Sequence, residues 1–156
     1  MRWFPRTAPA LAAGAALLGV LLLWGALQAG SGLPVTELKV GERTLSVEIA
    51  ADEPARRQGL MYREELADDQ GMLFIWDRPA RYAMWMRNTY IPLDVAFIDA
   101  DYRITNIATM EPQTTTLHEA KSDVLYALEV NAGWFEDNDV SAGDRIDDLP
   151  RALDKK

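Results

Sequence analysis

Two acidic residues, Asp94 and Glu129, interrupt apolar, strand-like runs, "PLDVAFI" and "VLYALEV". Side chains two apart in a strand share a face, which puts Asp94 in line with Ala96 and Ile98, and Glu129 in line with Leu125 and Ala127. A carboxyl on an interior face must be hydrogen-bonded, paired with a cation or neutral. Two such carboxyls on one cleft could act as the acid and base of glycoside hydrolysis. They could equally be structural partners of Arg57 or Arg87, or line a solvated face.

Between them, "RYAMWMRNTY" places Met84 and Met86 on one side of an extended chain and Arg81, Trp85 and Arg87 on the other. An M-x-M strand presents two thioethers, the donor type that suits Cu(I). Methionine is also a common core filler, and the one histidine, His118, falls in a polar loop with no second histidine near it. Trp85, flanked by arginines, is expected to be partly exposed, a place for an anionic or glycan ligand to stack. Asn88 precedes a break imposed by Pro92 and can hold that turn through its side chain or contact a ligand. The candidate ligand contacts are therefore Arg57, Trp85, Arg87, Asn88, Asp94 and Glu129, with no catalytic residue, metal ligand or cofactor assigned.

Other chemistries lack their residues. With no cysteine, thiolate nucleophiles, zinc-thiolate sites and disulfides are excluded. "DNDVSAGDRIDD" resembles a calcium loop, but its glycine is seventh instead of sixth and its twelfth residue is Asp148 instead of glutamate. No G-x-S-x-G surrounds a serine, and there is neither a G-x-G-x-x-G nor a P-loop.

The elements that must position these residues follow from the rest of the 156-residue chain, enough for one domain. Residues 1–31 combine Arg2 and Arg6 with an 18-residue run lacking polar side chains, 10–27, and no acidic residue precedes Glu37. This pattern reads as a signal peptide or an N-terminal membrane anchor, with the remainder exported to the periplasm or outer side of the membrane. Beyond Arg2 and Arg6, 14 basic residues face 24 acidic ones, a net charge of −10 that disfavours nucleic acid as a partner.

After a linker, 32–35, a domain is expected over 36–147 and a charged tail over 148–156. "VTELKVGERTLSVEIA" patterns as a hairpin turning at Gly41-Glu42. "DEPARRQG" reads as a short helix with Asp52 as N-cap, Pro54 in its first turn and Gly59 as its stop. Further strands are expected at 72–76, 81–87, 93–98, 102–108 and 124–130, with Asp77-Arg78-Pro79 as a turn. A short helix over "NAGWFEDN" would be capped by Asn131, and a closing strand would follow the Gly143-Asp144 turn. Short strands with frequent turns and no long intervening helices predict a mainly β domain, a barrel or sandwich, and disfavour a βαβ sheet.

"RRQGLMYREEL…GMLFIW", "MWMRNTYIPLDVAFID" and "LYALEVNAGWFEDNDVSAGDRI" occur in this order. Together they resemble the family known as domain of unknown function 192, small and often exported bacterial and archaeal proteins, over residues 36–147. The resemblance implies a compact, mainly β fold of barrel or jelly-roll-like topology, and no reaction. The residues themselves favour a non-catalytic β-domain of the cell envelope that binds a small molecule, a glycan or an envelope protein. The alternatives are a hydrolase of envelope glycan using Asp94 and Glu129, and a Cu(I)-binding protein using Met84 and Met86.

Overall fold

The computed structural model describes residues 32–150, so the expected signal or anchor over 1–31 lies outside the described residues. Strands β1 (Val35–Val40) and β2 (Arg43–Ala50) form the expected antiparallel hairpin, turning through Gly41 at φ 58°. Helix α1 (Glu53–Gln58) follows, with the Asp52 carboxylate accepting the Ala55 N–H at 2.8 Å and Gly59 ending it at φ 51°. The chain continues through β3 (Gln70–Ala80), β4 (Ala83–Met84), β5 (Leu93–Ile98), β6 (Ile104–Met110), β7 (His118–Glu119), β8 (Val124–Asn131) and α2 (Trp134–Asp137).

Six strands make one mixed sheet in the order β1-β2-β3-β8-β5-β6, and β4 pairs with β7 in a separate two-stranded ribbon. The end strands β1 and β6 do not pair, so the sheet is neither the expected barrel nor a two-sheet jelly roll. The cause lies in the crossover from β2 to β3: these strands pair in parallel, with α1 in the connection between them. Parallel neighbours need a crossover of a dozen or more residues, and the 19 residues of 51–69 supply it with only a six-residue helix. A βαβ unit is thus present where the shortness of the helix argued against one.

The sheet is buried on both faces. Leu45, Val47, Ile49, Leu73, Ile75, Ala96, Ile98, Leu128 and Val130 face a first layer closed by Trp134 and Phe135 of α2 and by Ile146 and Leu149. Met72, Phe74, Leu93, Val95, Phe97 and Ala127 face a second layer, closed by Ala55 of α1 and by Leu60, Leu66, Met86 and Ile91. Each large apolar side chain buried this way contributes roughly 1.5–3 kcal/mol of transfer free energy. Leu149 anchors the start of the expected tail.

Several local expectations change. The Asp77-Arg78-Pro79 turn is instead the irregular end of β3, where pairing with β8 shifts register between Ile75 and Ala80; such a shift accommodates a proline that cannot donate to a ladder. The strand over 81–87 shrinks to Ala83–Met84, because its partner is the short segment His118–Glu119 and Met86 N–H already turns to the carbonyl of Thr114. Helix α2 is capped by Gly133 at φ 85°, not by Asn131, whose amide reaches instead to the carbonyl of Leu66 at 2.8 Å. The closing strand reduces to one bridge, Arg103 with Arg145, preceded by a turn in which Asp144 accepts the Ser141 N–H at 2.7 Å.

Gly71 marks a close approach of β3 to β8. A Cβ there would stand 2.7 Å from the carbonyl oxygen of Glu129 and 3.2 Å from Cγ1 of Val130. Gly71→Ala should therefore force β3 and β8 apart and cost about 1–3 kcal/mol. Urea denaturation checks it: an unchanged midpoint would show that the strands give way freely.

Candidate functional site

Asp94 and Glu129 lie on opposite faces of the sheet. Asp94 is in register with Val130 of the first layer, whereas Glu129 is in register with Met72 and Val95 of the second. Asp94 is 4% exposed and satisfied: its carboxylate accepts the Thr109 hydroxyl at 2.7 Å and the Gly133 N–H at 2.9 Å. It ties β5 to β6 and to the start of α2, an architectural position. The acid–base pair required for glycoside hydrolysis therefore does not form, since both carboxyls would have to face one cleft.

Glu129 is also 4% exposed, but its surroundings differ. Among the described residues its carboxyl has no hydrogen-bond or ion-pair partner, and burial pushes its pKa up to about 8. Desolvation penalises the charged form, so the group is mostly a neutral acid at neutral pH. It lies at the floor of a cavity of about 260 Å³ between α1, β3 and β4. Leu60, Met61, Phe74, Trp76, Tyr82 and Met84 supply apolar and aromatic walls, and Arg56, Arg57 and Gln58 stand on the helix side. Trp76 and Tyr82 stack at 4.0 Å between centroids, while Arg56 is held by the carbonyls of Ala51 and Ile75.

A more open cleft of about 770 Å³ adjoins this cavity, sharing Arg57, Gln58, Met61 and Trp85 with it. Its outer part adds Tyr62, Arg87 and Asn88. Trp85 is 44% exposed, with the Arg87 guanidinium 5.8 Å from its ring centroid. Tyr62 and Asn88 both adopt left-handed backbone, φ 65° and 57°, and hold one another. The Tyr62 N–H donates to the Asn88 carbonyl at 2.8 Å, and the Asn88 amide donates to the Tyr62 hydroxyl at 3.0 Å. A bulky residue in this region is strained, and the reciprocal bonds fix the mouth of the cleft.

The structure thus gathers Arg57, Trp85, Arg87, Asn88 and Glu129 around one continuous groove and leaves Asp94 behind the sheet. Neither Arg57 nor Arg87 pairs with Glu129; Arg57 bonds Glu53 on the surface of its own helix. Sequence reasoning missed Phe74, Trp76, Tyr82 and Tyr62. The continuous run of 72–76 carried a signal for the first two, since a strand buried on both faces must send alternate residues into each layer. Nothing local placed Tyr62, whose position follows from the crossover. Met84 lines the cavity, but Met86 is fully buried in the second layer. Across the ribbon Met84 is in register with His118, whose Nε2 is a buried polar atom without a hydrogen-bond partner among the described residues.

The Glu129 pKa carries a sign. Below its unfolded value of 4.5 the group is protonated in both states; as pH rises from there to about 8 the unfolded chain gives up the proton first. Its contribution is complete at low pH and is lost through this window, at ~1.4 kcal/mol per pH unit. Glu129→Gln should remove that slope. Urea melts at about pH 5 and about pH 9 should show the variant gaining on the wild type as pH rises, and parallel profiles would refute the burial argument.

The sequence profile of the family described as Uncharacterized ACR (DUF192) matches residues 36–147. Among curated proteins, none matches the chain. The crystal structures that resemble it include these two. A Sinorhizobium meliloti protein, provisionally described as a transcription regulator, is 40% identical with a TM-score of 0.67, the match covering 71% of this chain and 89% of that one. A Novosphingobium aromaticivorans protein of unknown function is 34% identical with a TM-score of 0.74, over 78% and 91% of the two chains. With most of the described domain matched by the profile and both relatives sharing its fold, the chain belongs to the DUF192 family.

Proposed function

We propose that this domain is a non-catalytic binding module, that the groove between α1, β3 and β4 is its site, and that Glu129 meets the polar end of the ligand. The supporting observation is the carboxyl itself. A buried carboxyl without a partner is costly, and an apolar residue of similar size would serve the layer better. Its place at the floor of an aromatic cavity is accounted for when a ligand supplies the missing hydrogen bonds. The basic start and apolar run of residues 1–31 support export, with the module working in the cell envelope either freed by cleavage or tethered by that segment.

Stability and binding should then move in opposite directions. Glu129→Met is expected to melt higher than the wild type near neutral pH, by the equivalent of about 1–3 kcal/mol, and to lose the ligand. Native mass spectrometry of the full-length chain purified from its producing cells reads the second effect, as a bound mass on the wild type that is missing from the variant. A variant that melts lower, or keeps the same bound mass, would sink the reading.

A second reading, soft-metal binding, rests on Met84 and His118 in place of Met84 and Met86. A thioether and an imidazole nitrogen are compatible Cu(I) donors, and the buried His118 Nε2 has no hydrogen-bond partner among the described residues. It predicts stabilisation of ~2.7 kcal/mol by Cu(I) at a hundredfold excess over Kd, abolished by Met84→Leu or His118→Ala. No thermal shift with Cu(I) removes it.

A further inference from the structure

Charge is distributed unevenly along the groove. The chain carries a net charge of −8, yet the mouth of the cleft presents two cations, Arg57 and Arg87. Among the described residues Arg87 has no carboxylate partner; its guanidinium rests beside the Trp85 ring. Among the described residues Arg57 meets only Glu53, and both of these side chains are largely exposed, at 77% and 73%. Such a pair is easily exchanged for a better one. Toward the floor the strand-side walls are apolar and aromatic, with Glu53, Arg56 and Gln58 lining the helix side, and the acid at the end is uncharged near neutral pH. The groove therefore runs from a cationic mouth, along an apolar and aromatic wall, to a hydrogen-bonding tip.

Resting on the Glu129 site proposed above, we infer that this groove takes an amphipathic organic anion. The negative group sits at Arg87 and Arg57, the apolar body lies over Trp85 and Met61, and a hydroxyl or carbonyl at the far end meets the Glu129 carboxyl. A cationic ligand fits poorly, because the arginines oppose it and one of them already occupies the side of the tryptophan. Repulsion from the acidic remainder of the surface falls off within a Debye length of about 8–10 Å, so the local cations decide. The mouth is also built to a fixed shape by the strained Tyr62–Asn88 pair.

Isothermal titration of the full-length chain with three probes tests this: para-hydroxyphenylpropionate, its carboxamide, and phenylpropionate. The hydroxy acid is expected to bind about fivefold tighter than its carboxamide, the scale of an exposed charge pair. Arg87→Gln should bring the acid down to the carboxamide, and high salt should narrow the gap. Acid and carboxamide binding equally, or a preference that survives Arg87→Gln, overturns the inference while leaving the Glu129 reading in place. Phenylpropionate matching the hydroxy acid, with Glu129→Met indifferent, overturns the Glu129 reading instead. No binding of any probe at millimolar concentration, or a dimer that Trp85→Asp dissociates, overturns the proposal of a small anionic occupant.

Discussion

Burial of the central strands on both faces is the constraint from which the rest of this structure follows. β3, β8 and β5 sit inside the sheet, and every residue of β5 is buried, including a carboxylate. On such strands no side chain can escape to water by pointing outward, so each polar one needs a partner. Asp94 finds two, Thr109 and Gly133, and becomes a brace. Glu129 finds none within the described chain, and its environment forces a neutral acid. Two carboxyls with similar sequence surroundings thus have opposite fates, set by what stands across from each.

The groove is a product of the βαβ crossover. The six residues of α1 cannot cover the second layer by themselves, although Ala55, and Leu60 just beyond the helix, contribute to it. The remaining cover comes from the ribbon of β4 and β7 and from the loops around Met86 and Ile91. Where helix and ribbon fail to meet, the aromatic edge of β3 stays accessible and the Glu129 carboxyl lies beneath it. A closed barrel would have filled this gap with sheet. The open mixed sheet, with its short covering pieces, leaves a slot of molecular size instead.

The same geometry sorts the competing chemistries. Hydrolysis by paired carboxyls needs both on one side, and the sheet itself separates them. Of the two thioethers, Met84 lines the cavity while Met86 is packed, fully buried, in the second layer. The fold shared with the Sinorhizobium and Novosphingobium proteins carries no activity over, because function resides in sites and not in folds. What distinguishes the groove is its gradient, from arginine through aromatic walls to a neutral acid.

Much of the local structure was legible in the sequence. Turn and capping residues act over three or four positions, so Gly41, Asp52, Pro54 and Gly59 announced the hairpin and α1 before any tertiary contact was known. The apolar runs of 93–98 and 124–130 likewise read as strands, and Asp94 and Glu129 stood out on them. Two-residue periodicity fixes which neighbours share a face, but it cannot say which of the two layers that face meets. That depends on strand order and on the parallel step from β2 to β3, decided by packing among residues far apart in the chain. The sequence therefore determined that two carboxyls would interrupt apolar strands; only the tertiary structure decided that both are buried, that one is satisfied, and that the other finds no partner among the described residues and lies at the floor of a cavity.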